Sequence, residues 1–328
     1  MRIIPALALS SAALLAPAAA QAPDAPRLAF PVQCEVGRTC EVQHYVDRDP
    51  GPAARDYRCG TATYEAHNGV DIRVPDLAAQ RQGVAVMAAA GGQVRAIRDG
   101  EPDISVKAAG APSVAGKECG NGVVVTHPGG WETQYCHMAK GSIAVKSGQA
   151  VETGTPLGRI GLSGATEYPH LHFTVRRAGQ IVDPFLPDGA AACGASGRGL
   201  WTAAAAGQMS YRAGVILNAG FAGIPITMDQ VEAGGVAPPT GGSPVLVAYV
   251  RSIALLPGDE VELELKGPDG ETLARSRRPP LAKWRAQDML YVGKRRPVSG
   301  WPSGTYVAEY KVWRKGDAVL SRRFELSL

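Results

Sequence analysis

The run YPHLHFTV (168–175) sets His170 and His172 one residue apart inside an apolar segment, in a chain with only six histidines. Extended backbone points residues i and i+2 the same way, so the two imidazoles share one face and Leu171 and Phe173 share the other. Paired neutral imidazoles in a pocket suit metal binding or proton transfer. A second stretch, HNGVDIRV (67–74), alternates Val70, Ile72 and Val74 with Asp71 and Arg73, which puts Asp71 on a strand. Fully extended, His67 and Asp71 would lie roughly 13 Å apart, whereas zinc gathers its donors about 2 Å from one point. Asn68-Gly69 is a turn-forming dipeptide able to fold His67 back over Asp71. A third stretch, QYCHMAKG (134–141), ends a β run on His137. The other histidines, His44 in an N-terminal loop and His127 at a turn, read as structural.

A catalytic zinc site needs three protein ligands and one open position. His67, Asp71 and one histidine of the HLH pair supply that set. A single carboxylate leaves the ion net positive, so its water ionises near neutral pH. His137 and the remaining HLH histidine are then left to take a proton and stabilise an oxyanion. Other chemistries lack their residues. GLSGA (161–165) misses the nucleophile elbow G-x-S-x-G by one place. GAPSVAGKE (110–118) has Glu where a P-loop requires Ser or Thr. The chain contains no CxxC and no HExxH.

The elements that must position these residues are strands. From Val84 to about Asp183, short runs such as VAVMAAA, GQVRAIR, GVVVTH, ETQYCHM, SIAVKSG and HLHFTVRR alternate with glycine turns, the rhythm of an all-β fold. The unit that carries these residues is expected over 60–190. Before it, residues 21–59 read as a turn-rich, cysteine-bearing loop region packed on that unit. After it, the Ala/Gly-rich stretch 191–210 reads as a linker. Residues 211–328 then read as a smaller β-sandwich-like domain, with Val261, Leu263 and Leu265 alternating against Glu262, Glu264 and Lys266 and a hairpin turn at Lys315-Gly316-Asp317. That region carries no chemistry of its own in the sequence. Glycan binding, packing over the first unit, spacing and recruitment of a protein partner are the roles open to it.

Residues 1–20 have the pattern of a signal peptide: Arg2, a short apolar core and Ala18-Ala19-Ala20 as the cleavage motif. The core is too short to span a bilayer, and no cysteine at the cut offers a lipid anchor. Export to the periplasm or the medium is expected, with no membrane anchor. Without Arg2, 33 basic residues face 30 acidic ones, an excess too small to argue for nucleic acid. Six cysteines in an exported chain read as disulfides. Six cysteines allow 15 pairings, among which the sequence does not choose; the pairing guessed is Cys119–Cys136 across a hairpin, Cys34–Cys40 closing a small loop, and Cys59–Cys193 tying the ends of the first domain.

Taken together, HNGVD, QYCHM and HLHF resemble the motifs of the LytM/lysostaphin-type zinc metallopeptidases, which cut peptide cross-links in bacterial peptidoglycan. The stretches GVAVMAAAGGQV and SGQAVETGTPLGRIGLSG match the family's rhythm, and the similarity covers roughly 60–187. The resemblance implies an antiparallel β-sheet crossed by a groove, one Zn2+ held by His67, Asp71 and His172, and His137 and His170 flanking the water. It implies peptidoglycan stem peptides as substrate. The alternatives within this resemblance are a non-catalytic wall-binding or amidase-activating protein of the same fold, and a zinc peptidase acting on proteins. The long insert at 98–121, the N-terminal loop and the C-terminal region depart from the family's core.

Overall fold

Period-two alternation in VDIR separates two jobs. Val70 and Ile72 are wholly buried in the larger core, leaving Asp71 and Arg73 for the opposite face. The computed structural model describes residues 25–187, 193–194 and 198–328. The expected leader, residues 188–190 and part of the expected linker lie outside the described residues.

The first unit is built on β1 (Glu41–His44), β2 (Val70–Arg73), β3 (Ala85–Met87), β4 (Gly92–Arg98), β5 (Asn121–His127), β6 (Trp131–Met138), β7 (Ala150–Val151), β8 (Pro156–Arg159), β9 (His170–Arg177) and β10 (Gln180–Val182). An antiparallel sheet runs β1-β2-β9-β6-β5-β4-β7, with β10 added to β9, while β3 and β8 pair separately. Its core gathers Val70, Ile72, Val123, Val125, Tyr135, Leu171, Phe173 and Val175. The second unit comprises β11 (Val215–Ala222), β12 (Val245–Leu255), β13 (Glu260–Lys266), β14 (Thr272–Arg277), β15 (Arg285–Arg295), β16 (Thr305–Arg314) and β17 (Asp317–Ser327). Sheets β11-β12-β15 and β14-β13-β16-β17 bury a shared core of Leu246, Ala248, Val250, Leu263, Leu265, Leu290, Tyr306 and Tyr310. The fold is all-β and antiparallel, with only short helices, α1 (Leu77–Gln82), α2 (Val106–Ala109), α3 (Ala203–Gln208) and α4 (Met228–Ala233), among the described residues. None of these is long and apolar enough to cross a membrane.

The three disulfides are Cys34–Cys40, Cys59–Cys193 and Cys119–Cys136, the pairing guessed above. The hairpin turn also falls where expected: Arg314 pairs with Asp317 around Lys315-Gly316, whose φ values of 53° and 93° are both left-handed.

Four expectations change. Residues 21–59 are more than loop, because Glu41–His44 forms the edge strand β1 against β2. The described end of the expected linker, from residue 198 on, is packed: Leu200 and Trp201 are 1% and 0% exposed, Thr202 caps α3, and Ala205 and Met209 join the first core. Its alanines and glycines suggest slack, yet one tryptophan and one leucine suffice to anchor it. SIAVKSG has strand-like alternation but makes no ladder, and Ala144 N–H donates to Leu157 O without a strand around it. Finally, Glu262 on the expected wet face of β13 is buried beneath Arg275 and Arg277.

Candidate metal centre

Strand register lines up the chemistry. His44 pairs with Asp71, Asp71 with His172, and His172 with Cys136 across β1, β2, β9 and β6, while Arg73 pairs with His170. His137 follows Cys136, so simple alternation would send it to the core face with Tyr135. Its φ of 61° is left-handed, an uncommon state outside glycine. That local reversal delivers His137 to the site, with its ring centroid 4.8 Å from that of His170 and 5.8 Å from that of His172. His67 arrives by a turn three residues earlier than the expected Asn68-Gly69. The turn is at Glu65-Ala66, closed by His67 N–H donating to Tyr64 O. Gly69 serves close approach instead: a Cβ there would lie 2.5 Å from His172 Nε2 and 2.9 Å from the Phe173 carbonyl oxygen.

All five expected site residues meet. His67 Nε2 is 3.1 Å from Asp71 Oδ1, His172 Nδ1 is 2.9 Å from the same oxygen, and the two nitrogens are 3.2 Å apart. His170 Nε2 lies 3.3 Å from Asp71 Oδ1. Tetrahedral zinc with bonds of about 2.0–2.1 Å spaces its ligands about 3.3–3.4 Å apart, close to the triangle formed by His67, Asp71 and His172. A second grouping, His137, His170 and His172, also brings three donor atoms together. Only the first contains a carboxylate.

The histidine protons follow from their partners, since a carbonyl oxygen only accepts. His67 Nδ1–H donates to Tyr45 O at 2.7 Å, leaving the Nε2 lone pair toward Asp71. His172 Nε2–H donates to Asn68 Oδ1 at 2.9 Å, with Thr174 Oγ1 at 3.1 Å, leaving Nδ1 free. His137 Nδ1–H donates to Ser163 O at 2.8 Å and His170 Nδ1–H to Tyr168 O at 3.0 Å, leaving both Nε2 atoms as acceptors. Such outer partners fix tautomer and ring angle at metal sites.

Burial pulls His137 well below the ordinary imidazole value, and the neighbouring His170 and His172 add to this. Burial likewise lowers His172, against the pull of Asp71. At His67 burial also lowers, but the nearby Asp71 charge and the Tyr45 carbonyl outweigh it and the net shift is upward. Burial opposes the Asp71 charge too, yet His67 and His170 hold its carboxyl well below the usual range. Asp71 is 1% exposed. A buried anion ringed by imidazoles with outward-tied protons is a donor set fitted to a borderline-soft dication.

His127 is a structural histidine, with Nδ1–H donating to Gly91 O at 2.7 Å and Nε2 at 2.9 Å from Thr133 Oγ1. His44 departs from the structural reading: its Nδ1 is 3.1 Å from Asp71 Oδ2. No local pattern marks it, because the contact exists only once β1 pairs with β2. Tyr168, two residues before His170, also reaches the site, its ring 4.7 Å from that of His170.

A model of peptidase family M23 matches residues 65–184. The cell division protein DipM of Caulobacter vibrioides is 31% identical over 125 residues, covering 38% of this chain and 17% of that protein. The peptidoglycan DD-endopeptidase ShyB of Vibrio cholerae is 38% identical over 69 residues, covering 21% of this chain and 16% of that protein. The chain therefore spans less than a quarter of the length of these curated relatives. The solved catalytic domain of the prophage-encoded M23 protein EnpA from Enterococcus faecalis is 21% identical, covering 49% of this chain and 94% of that one, with a TM-score of 0.32. His67, Asp71, His137, His170 and His172 all lie in the segment, residues 65–184, that matches peptidase family M23.

Proposed function

We propose that the chain is an exported zinc endopeptidase that hydrolyses peptide cross-links of bacterial peptidoglycan. The observation that carries this reading is the proton arrangement: four histidines each spend one nitrogen on an outer acceptor and turn the other toward the Asp71 carboxylate or its neighbours. A structural cluster has no need for four free lone pairs at one point. Peptidoglycan as substrate draws on the named activity of ShyB and on the resemblance of the motifs. Export draws on the leader and the three disulfides.

His67 Nε2, Asp71 Oδ1 and His172 Nδ1 would hold the zinc. Zinc there supplies Lewis acidity toward the scissile carbonyl and makes a nearby water more acidic. The chain's own part is proton handling. His137 and His170 present Nε2 acceptors from rings 4.8 Å apart, so one takes the proton of the attacking water and returns it to the leaving amine. The other, as an imidazolium or through a shared proton, stabilises negative charge on the carbonyl oxygen. Ser163 O and Tyr168 O keep both rings aimed while the proton moves.

The test is mass spectrometry of purified sacculi digested with the zinc-loaded chain, with and without chelator. Cross-linked muropeptides are expected to fall and uncross-linked ones to rise, and chelator should abolish the change. Intact cross-links with the zinc-loaded chain would instead favour a wall-binding or amidase-activating protein.

A further inference from the structure

The metal centre is joined to the second β unit by a continuous set of contacts. His44 Nδ1 lies 3.1 Å from Asp71 Oδ2 and 3.1 Å from the Tyr168 hydroxyl. The carboxylate only accepts, so Nδ1–H donates to Oδ2, and the Tyr168 oxygen shares that hydrogen. With Oδ2 so tied, Oδ1 is the oxygen left facing His67 and His172. The Tyr168 ring in turn carries the Arg73 guanidinium, whose Cζ is 4.3 Å from the ring centroid.

Arg73 is 0% exposed and stands two residues from Asp71 on the same strand face. A buried guanidinium is tolerated only when its donors are met. Nε donates to Val74 O at 3.3 Å, and three of the five acceptor atoms come from the second unit. Nη1 donates to Gln43 Oε1 at 2.9 Å and to Gln287 Oε1 at 3.1 Å, and Nη2 to both carboxylate oxygens of Glu232 at 3.2 Å. Glu232 lies on α4 and Gln287 on β15. Arg251 of β12 fastens the same joint, bonding Glu232 and the Pro75 carbonyl just beyond β2. Trp284, from the loop before β15, places its ring 5.9 Å from that of His44.

We propose that His44 is a positioning residue that turns Asp71 Oδ1 toward the metal, and that the second β unit holds this arrangement through Arg73 and Tyr168. The proposal rests on the zinc reading above. It gives the C-terminal region a part in setting the metal centre, beyond packing or spacing. The bond from His44 fixes carboxylate rotation, the Tyr168 hydroxyl keeps the His44 ring from turning, and Glu232 keeps Arg73 against the Tyr168 face.

The test titrates zinc into the full chain against a chromophoric chelator, for the native protein and for His44→Ala, His44→Gln, Tyr168→Phe and Glu232→Gln. Cobalt(II) absorption and far-UV circular dichroism are recorded alongside. His44→Ala is expected to weaken zinc binding about 10–100-fold, the usual cost of an outer partner at a metal site, and to shift the cobalt bands at unchanged stoichiometry. His44→Gln retains an amide donor and should recover part of the loss, which a purely structural histidine would not allow. Tyr168→Phe and Glu232→Gln should give smaller losses of the same sign. A folded His44 variant with native affinity and native cobalt bands overturns the positioning role. Native affinity in both Tyr168→Phe and Glu232→Gln overturns the link to the second unit. A native chain that takes up no zinc fails at the earlier step and removes the zinc reading itself.

Discussion

His172→Ala is expected to abolish stoichiometric zinc binding and, with it, cleavage of cross-linked muropeptides. His172 is the donor that strand pairing sets directly opposite Asp71, with Nδ1 2.9 Å from Oδ1. Its removal leaves two protein ligands where a catalytic zinc site needs three. The loss should exceed the roughly 100-fold upper range for outer partners, because the atom lost bonds the metal itself. The substitution also frees Asn68 Oδ1 and Thr174 Oγ1 to take up water at the mouth of the site, so the surrounding strands have no reason to unfold. Chelator competition and far-UV circular dichroism separate metal loss from unfolding. A folded His172→Ala protein that binds one zinc at native affinity would remove this residue from the ligand set.

His170→Ala should behave in the opposite way: zinc retained, cleavage lost. His170 Nε2 lies 3.3 Å from Asp71 Oδ1, within reach of a water or carbonyl beside the metal, while His67 and His172 close the tighter triangle around that oxygen. General acid–base groups contribute about 10²–10⁴-fold to rate, and cleavage in the variant should fall by that order with zinc content unchanged. The split between binding and rate is the informative readout. If His170→Ala lost zinc as fully as His172→Ala, the grouping of His137, His170 and His172 would become the metal site.

The sequence made much of this centre legible because its decisive relations are local. Period two in HLH puts two imidazoles on one strand face, and alternation in VDIR puts Asp71 opposite Val70 and Ile72. The all-β fold follows from the same alternation, whereas the disulfide pairs, guessed among 15 pairings, become definite only in the fold. What stayed hidden depends on distant pairing or on one backbone angle. The role of His44 appears only when β1 lies beside β2. His137 reaches the site against alternation because its φ is 61°, and no composition rule announces a left-handed histidine. The turn before His67 falls at Glu65-Ala66 although Asn68-Gly69 has the stronger turn chemistry, since Gly69 is occupied in making room for the His172 ring. Residues 200–209 look slack by composition, yet Trp201 is wholly buried. Arg73, three of whose five acceptor atoms belong to the second unit, could not be told from an ordinary strand arginine before the two units were seen together.

The most direct measurement is the anomalous difference map of a zinc-loaded crystal, recorded across the zinc edge. One zinc per chain is expected, bonded to His67 Nε2, Asp71 Oδ1 and His172 Nδ1 at about 2.0–2.2 Å, with His137 and His170 facing it and unbound. A zinc bonded to His137 or His170 in place of His67 and Asp71, or no peak at this point in a zinc-saturated crystal, would contradict it.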